Sequence, residues 1–512
     1  LKWKLLGVLP TPSNFAYQVS VDVKVMLAGV LPFLRRSAFV VHQWAGIAVC
    51  LLFVAWFISG VVLAYQPFPA LSRGERLAHL AEIDFAAVRI DPDAALLAAG
   101  QSTFPSALSL ETRNGEPVYR IVGWEGDRHT ISAVTGQPTG PVSAEKALEL
   151  VGAFAPRAEL AQSNVLVDQW TINAEDWEGV RPFYIIRAGD EARTEYYVSS
   201  ITGEVVLDTN ARERFWAYLG AIPHWFYFRG LREHYNLYLL VVEIFSIIGI
   251  AVALTGLWLG FTKLRPSNLA RKRRITPFNG WKKWHHLIGV VGGIVLCTWM
   301  ISGFLVVRPV GIINQRSMTQ AERFGFAGVS TPSFPANFEA LASSQAVAVE
   351  FRWIGGRPIA ELVSVEGRPR VVDPTTGLVA AITDEEIFAA AAQLMPQHRM
   401  TAAERLVEGD EYWHSASAAR RPLPILRVKF DDDLRTWFHI DPMRMRVVGP
   451  MDQKGRAFRW LFDLLHDFDL QLLLKNRPAW DILIWILSLA GLAISISGVV
   501  LAQQRLVQEL KK

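Results

Sequence analysis

Residues 39–65, FVVHQWAGIAVCLLFVAWFISGVVLAY, decide the fold class of this 512-residue chain. The run carries no formal charge and exceeds the ~20 apolar residues that a helix needs to cross a bilayer core. An imidazole, His42, sits near its start. Ionisable groups inside a span are expensive to bury, so they mark a functional site by default.

Three more runs pass the same test, at 237–261, 287–307 and 482–502, and Glu243 is the one formal charge among the four. The composition agrees with a mixed membrane and aqueous protein: 51% hydrophobic, 20% charged, mean hydropathy +0.22. The net charge of +4 is small for the length and gives no nucleic-acid footprint. Both cysteines, Cys50 and Cys297, lie in apolar runs. That excludes a disulfide framework, a Cys-x-x-Cys-His haem attachment and a thiolate metal site.

The connection TKLRPSNLARKRRITPFNGWKK, 262–283, holds eight Lys or Arg and no acid. By the positive-inside rule this loop and both termini are expected in the cytoplasm, with the two long connections on the other side. The run Arg271 to Arg274 is read as setting this topology and meeting anionic lipid. The first span is read as an uncleaved anchor. The apolar stretch VDVKVMLAGVLPFL within residues 1–34 is read as an interfacial segment or a consequence of start-site choice.

A shift of 243 residues lays VHQWAGIAVCLLFVAWFISGVVL over WHHLIGVVGGIVLCTWMISGFLV without a gap, placing His42 on His285 and Gly46 on Gly289. A shift of 242 matches His224 to His466, Gly249 to Gly491 and Thr255-Gly256 to Ser497-Gly498. Two gap-free registers indicate an internal duplication. Each copy reads as span, large outer segment, span, and parallel repeats of this kind pack about a pseudo-two-fold axis along the membrane normal. The expected divisions are an N-terminal segment 1–36, a first span 37–66, an outer domain 67–222 and a second span with its preceding helix 223–262. The basic loop 263–283, a third span 284–308, an outer domain 309–464, a fourth span with its preceding helix 465–504 and a tail 505–512 complete them.

The outer segments also repeat. TISAVTGQPTG, YVSSITGEVVL and VVDPTTGLVAA each set a β-prone run beside a Thr-Gly turn, and FHIDPMRMRVV is a fourth such run. SAEKALELVGAFA and TDEEIFAAAAQLM read as helices with Ser143 and Thr383 as N-caps. Two small α+β units per outer domain are expected, each a helix packed on an antiparallel sheet.

Together with RRSAFVVHQWAG and WKKWHHLIG, these features resemble the PepSY-associated transmembrane family of bacterial proteins over about residues 35–505. The resemblance implies four transmembrane helices as a tandem repeat plus two extracytoplasmic α+β PepSY-like domains, in the bacterial inner membrane. It also implies kinship with iron-regulated proteins, including ferric-siderophore reductases that look like b-type haem proteins with periplasmic domains. Some relatives carry a fused flavin-reductase module. This chain departs from them, lacking a Gly-x-Gly-x-x-Gly and any cytoplasmic segment long enough to bind a nucleotide. The electron donor is therefore expected to be a separate molecule, quinol or a cytoplasmic reductase.

A b-type haem takes neutral imidazoles from two helices as axial ligands. His42 and His285 are one candidate pair, and His224 and His466 are another near the opposite face. His286 and His234 rank below them, because their repeat mates are Gln43 and Asn476. Histidines at a membrane boundary also anchor at headgroups, and duplication copies bystanders as faithfully as ligands. Trp56 and Trp299 read as packing or as an electron relay, and Glu243 as a protonated or paired carboxyl or a proton relay. The run Asp431 to Asp433 reads as a solvated turn or a metal site. Trp170, Trp177, Arg181 and Tyr184 suit either strand packing or a bulky anionic chelate. The leading reading is a haem protein (one or two haem b) that reduces a ferric siderophore or other ferric chelate in the periplasm. The competing reading is a non-enzymatic PepSY protein that binds a peptide, a protease or a metal complex.

Overall fold

The structure is a computed structural model. It describes residues 12–155, 159–165, 167–172, 178–265, 274–307, 316–329, 331, 333–364, 369–414 and 421–512. The expected site residues Trp177 and Arg271 to Arg273 lie outside them. The chain divides into two compact units. One is helical (Leu1–Val61, Leu239–Val307, Asp481–Lys512), and one is mixed α/β (Val62–Tyr238, Arg308–Trp480).

Four long helices carry the predicted spans: α1 (Pro12–Tyr65), α2 (Tyr235–Lys263), α3 (Gly280–Val306) and α4 (Ala479–Leu510). The expected break at residue 36 is absent, and α1 is one helix of 54 residues with Pro32 inside it. Residues 12–36 are continuous with the helix that carries the first span, and the span itself runs over Val30–Tyr65. Pro12 starts the helix, at a position where its missing N–H would have no intrahelical partner in any case. The core of the helical unit joins Val49, Phe53, Phe57, Val252, Ala253, Leu296 and Cys297. Two glycines permit close approach: a Cβ at Gly249 would lie 2.6 Å from Met300 Sδ, and one at Gly491 would lie 2.0 Å from Phe57 Cε1. Leu51, Ile247, Val291 and Ile486 stay exposed on the helices. Nothing but an apolar solvent would favour that, so the bilayer is the natural partner of this unit.

Among the described residues the mixed unit is built on three antiparallel sheets. The first outer segment supplies β1 (Ala107–Arg113), β2 (Glu116–Val122) and β3 (Arg128–Ser132), then β4 (Leu160–Val165), β5 (Phe183–Ala188), β6 (Glu195–Ser199) and β7 (Val205–Thr209). The second supplies β8 (Ala346–Ile354), β9 (Arg357–Ser364) and β10 (Pro369–Val372), then β11 (Met400–Leu406), β12 (Ile425–Phe430), β13 (Trp437–Asp441) and β14 (Arg446–Met451). Strands β4 to β7 and β11 to β14 form separate four-stranded sheets in sequential order. The remaining six make one sheet, ordered β10-β9-β8-β1-β2-β3.

That sheet joins the two expected outer domains, 67–222 and 309–464. Strand β1 pairs with β8 through Ser109↔Glu350, Leu110↔Val349 and Glu111↔Ala348, so the two outer segments share a core. Leu110, Tyr119, Ile121, Val349, Phe351 and Leu362 are buried together in it. The physical reason is an edge: taken alone, each three-stranded half would expose unpaired backbone groups along β1 or β8.

Local expectations hold more closely. Gly136, Gly203 and Gly377 take φ of 76°, 67° and 71° in the Thr-Gly turns, the left-handed region that glycine enters at little cost. Ser143 caps helix Ala144–Phe154 by accepting from Lys146 N, and Thr383 forms a capping box with Glu386 at helix Asp384–Ala392. These helices cover β4 to β7 through Leu150, Phe154, Ile186 and Val198, and β11 to β14 through Ile387, Ala391, Leu426 and Phe438.

Candidate functional site

His42 and His285 come together inside the helical unit. Their ring centroids are 6.1 Å apart with planes inclined at 48°. The His42 ring is held from α2 and the His285 ring from α4. His42 Nδ1 lies 3.0 Å from Val252 O on α2, so Nδ1 carries the proton and donates. Ser497 Oγ on α4 donates to Ile494 O at 2.7 Å, and its lone pairs accept from His285 Nδ1 at 2.9 Å. Both bonds leave Nε2 as the lone-pair nitrogen, the tautomer that a metal-ligating imidazole uses.

Glycines shape the surroundings. A Cβ at Gly256 would lie 2.4 Å from His42 Cε1, while one at Gly498 would meet His285 Cε1 at 3.7 Å. One turn beyond each histidine, a Cβ at Gly46 would touch only Val252 Cγ1 at 4.0 Å, and one at Gly289 would meet nothing within 4 Å. Those two positions leave space on the histidine-bearing faces of α1 and α3.

His224 and His466 meet inside the mixed unit, again with centroids 6.1 Å apart, at 70°. His224 lies in the short helix Ala221–Trp225, and His466 in the π-helix Arg459–Asp467. Each stands two residues before a phenylalanine in the left-handed region, Phe226 (φ 55°) and Phe468 (φ 51°), which ends its helix. Phe462 stacks on His466 at 5.0 Å and 17°. The buried Arg459 braces the π-helix by hydrogen bonds to Glu411 O at 2.7 Å and His414 Nε2 at 3.1 Å and by an ion pair with Asp469 Oδ1 at 2.8 Å. Beside it, burial and then the neighbouring Asp469 and Asp463 charges push carboxyls up: Asp463 to about 6 and Asp467 to about 7.

Two imidazoles bound through Nε2 to opposite sides of one metal, with bonds of ~2 Å, would hold their centroids ~6 Å apart. Both pairs meet that spacing. The lower-ranked candidates belong to neither pair. His286 spends both nitrogens, Nδ1 on Thr276 Oγ1 at 2.8 Å and Nε2 on Gly260 O at 2.9 Å, so it has no lone pair to offer and serves α3 as a structural residue. His234 is exposed. The helix expected to precede the second span is interrupted at Phe226 and between the short helix Arg229–Arg232 and α2.

Trp299 packs on Phe57 at 5.6 Å and Trp56 on Phe53 at 5.9 Å, within the helical core. Glu243 is half-buried on α2. Asp432 accepts from Thr436 N and Thr436 Oγ1 at 2.6 and 2.8 Å, so it ties a hairpin. No metal-binding group of three or more His, Cys, Asp or Glu occurs among the described residues. Trp170 is buried against Phe68 at 5.9 Å, and Arg181 bonds Thr171 O. The residues that sequence reading passed over are Val252, Phe462 and Arg459. Ser497 and Gly256 drew notice there through the repeat register that matches Thr255-Gly256 to Ser497-Gly498. The repeat register marks position 256, but only the paired helix reveals the ring lying against it.

Four apolar helices, a histidine pair between two of them and a mixed α/β unit built from the two long connections define a multi-pass membrane protein. The family described as PepSY-associated TM region matches residues 39–350, and the chain belongs to it. No curated protein matches the chain.

Proposed function

We propose that the protein is a b-type haem protein of the bacterial inner membrane that delivers electrons to a periplasmic ferric chelate, such as a ferric siderophore, for iron acquisition. The observation that carries this reading is the 6.1 Å separation in both histidine pairs, each composed of one residue from either copy of the repeat. His42 with His285 would hold one haem, and His224 with His466 a second. A haem with two imidazole ligands exchanges single electrons without opening a coordination position. The chain's own part is to hold the rings. Val252 O and Ser497 Oγ set the tautomer, and Gly256 admits the His42 ring. At the acceptor one electron turns Fe(III) into Fe(II), which an oxygen-rich chelator holds less tightly. The donor is a separate molecule, quinol or a cytoplasmic reductase. The basic 262–283 loop supports cytoplasmic termini, and the matched registers support a pseudo-two-fold arrangement of the two copies.

The absorption spectrum of the purified protein, expressed with ample haem supply, tests the reading. A Soret band that shifts on dithionite addition, with sharp α and β bands, is expected. His42→Ala or His285→Ala should remove one share of it, His224→Ala or His466→Ala the other, and His234→Ala none. A colourless protein would overturn the reading and leave the non-enzymatic binding protein.

A further inference from the structure

The duplication provides an internal comparison inside the mixed unit. In the first copy, helix Arg73–Ala78 opens with a capping box of Ser72 and Glu75, followed by Arg76; in the second, helix Gln320–Ala327 opens with Thr319 and Glu322, followed by Arg323. Strand pairing gives the other equivalences. Ser109↔Arg120 in the first copy corresponds to Glu350↔Glu361 in the second, so Glu111 corresponds to Arg352. Val198↔Val205 corresponds to Ile440↔Val447, so Glu204 corresponds to Arg446.

The four positions are therefore Arg, Glu, Arg, Glu in the first copy and Arg, Arg, Glu, Arg in the second. The first set is balanced and closed. Glu111 takes Arg76 at 2.9 Å and Arg120 at 2.8 Å, and Glu204 takes Arg76 at 3.2 Å. The space beside them is about 70 Å³. In the second set Arg352 pairs with Glu361, but Arg323 reaches only Ser106 O at 3.2 Å and Arg446 has no carboxylate within 4 Å among the described residues. Glu350, which also lines this space, is engaged at 2.6 Å by Arg73. The Nε groups of Arg323, Arg352 and Arg446 are all buried without an acceptor among the described residues. Around them opens a cavity of about 320 Å³, also lined by Phe104, Phe334 and Trp353. That volume is within the range of small-molecule sites.

We propose that this cavity binds a small organic anion with an aromatic body, its carboxylate or equivalent acidic group held by Arg323 and Arg446 and its ring lying among Phe104, Phe334 and Trp353. The anion replaces the carboxylate that Glu204 supplies in the first copy. Guanidinium forks match planar anions in two-point contacts, and aromatic walls favour a flat apolar body. Burial, followed by the neighbouring Arg352 charge, pushes both Arg323 and Arg446 below the usual arginine range, and the nearby carboxylates, Glu350 for both and Glu361 for Arg446, do not offset it.

Calorimetric titration of the purified full chain with salicylate tests the proposal. Saturable one-to-one binding is expected, weakened at least tenfold by Arg446→Glu and unchanged by Arg399→Gln, a surface control. Inorganic phosphate, which lacks the ring, is expected to bind at least tenfold more weakly than salicylate. Arg446→Glu should melt above the wild type without ligand, because it restores the balanced arrangement; that result also reports a folded variant. Absence of salicylate binding, equal binding by Arg446→Glu, or phosphate binding as tight as salicylate would each overturn the proposal. No redox signal enters the titration, so its failure and a failure of the haem reading are distinguishable.

Discussion

Single atoms decide how the histidine at position 42 is held. Its ring occupies the space that a methyl group would need at Gly256, at 2.4 Å, whereas the equivalent Gly498 leaves 3.7 Å. Gly256→Ala is therefore expected to displace His42 from Val252 O at a cost of about 1–3 kcal/mol, as overpacking does. Gly498→Ala adds an ordinary contact and should be tolerated. Comparing the two variants by thermal unfolding and by haem content separates them, and equal behaviour would show that the ring is not confined there. His42 stood out in the sequence because an apolar run surrounds it. Gly256 did not, because a glycine beside a threonine in a span reads equally well as helix packing.

Among the strands, the strongest element-level device is the buried ion group on β1. Glu111 is 1% exposed, and although burial alone would push its carboxyl up, Arg76 and Arg120 outweigh that and hold it well below the usual range. Because the native state keeps this group ionised more readily than the unfolded chain does, its contribution is present above the ordinary carboxylate pKa and fades as pH falls below ~4.5. Glu111→Gln leaves two arginines short of a partner and is expected to destabilise the protein by about 3–5 kcal/mol at neutral pH. The gap from wild type should shrink on acidification, followed by unfolding from pH 7 to pH 3. A gap independent of pH would mean that packing, not charge, is lost. Alternation in β1 and β2 made the strands legible, and Thr-Gly made the turns so. The counter-charge on Arg76 was not, because it lies on a separate helix 35 residues away.

At the scale of the molecule the two copies are not independent. Their outer segments join through β1 and β8 in one six-stranded sheet. A first half expressed alone, cut within the 262–283 loop, would leave β1 as an open edge and Leu110 partly uncovered. It is expected to aggregate or to be degraded, while co-expression of both halves restores a stable complex that co-purifies. A first half that is monomeric and folded by itself would overturn this view of the seam.

Periodicity and composition by themselves determined the four apolar helices, the Thr-Gly turns and the capped helices, and pointed to the histidines that the fold brings together. These are local or repeated signals, and a helix or a turn answers to neighbours within a few residues. The tertiary structure alone decided the shared sheet, the continuity of α1 back to Pro12, the exclusion of His286 and the contrast between the balanced and the cationic cavity. Each of these depends on groups far apart in the chain. Strand edges choose partners by what else is left unpaired, and a buried charge takes its meaning from the charges that folding sets beside it.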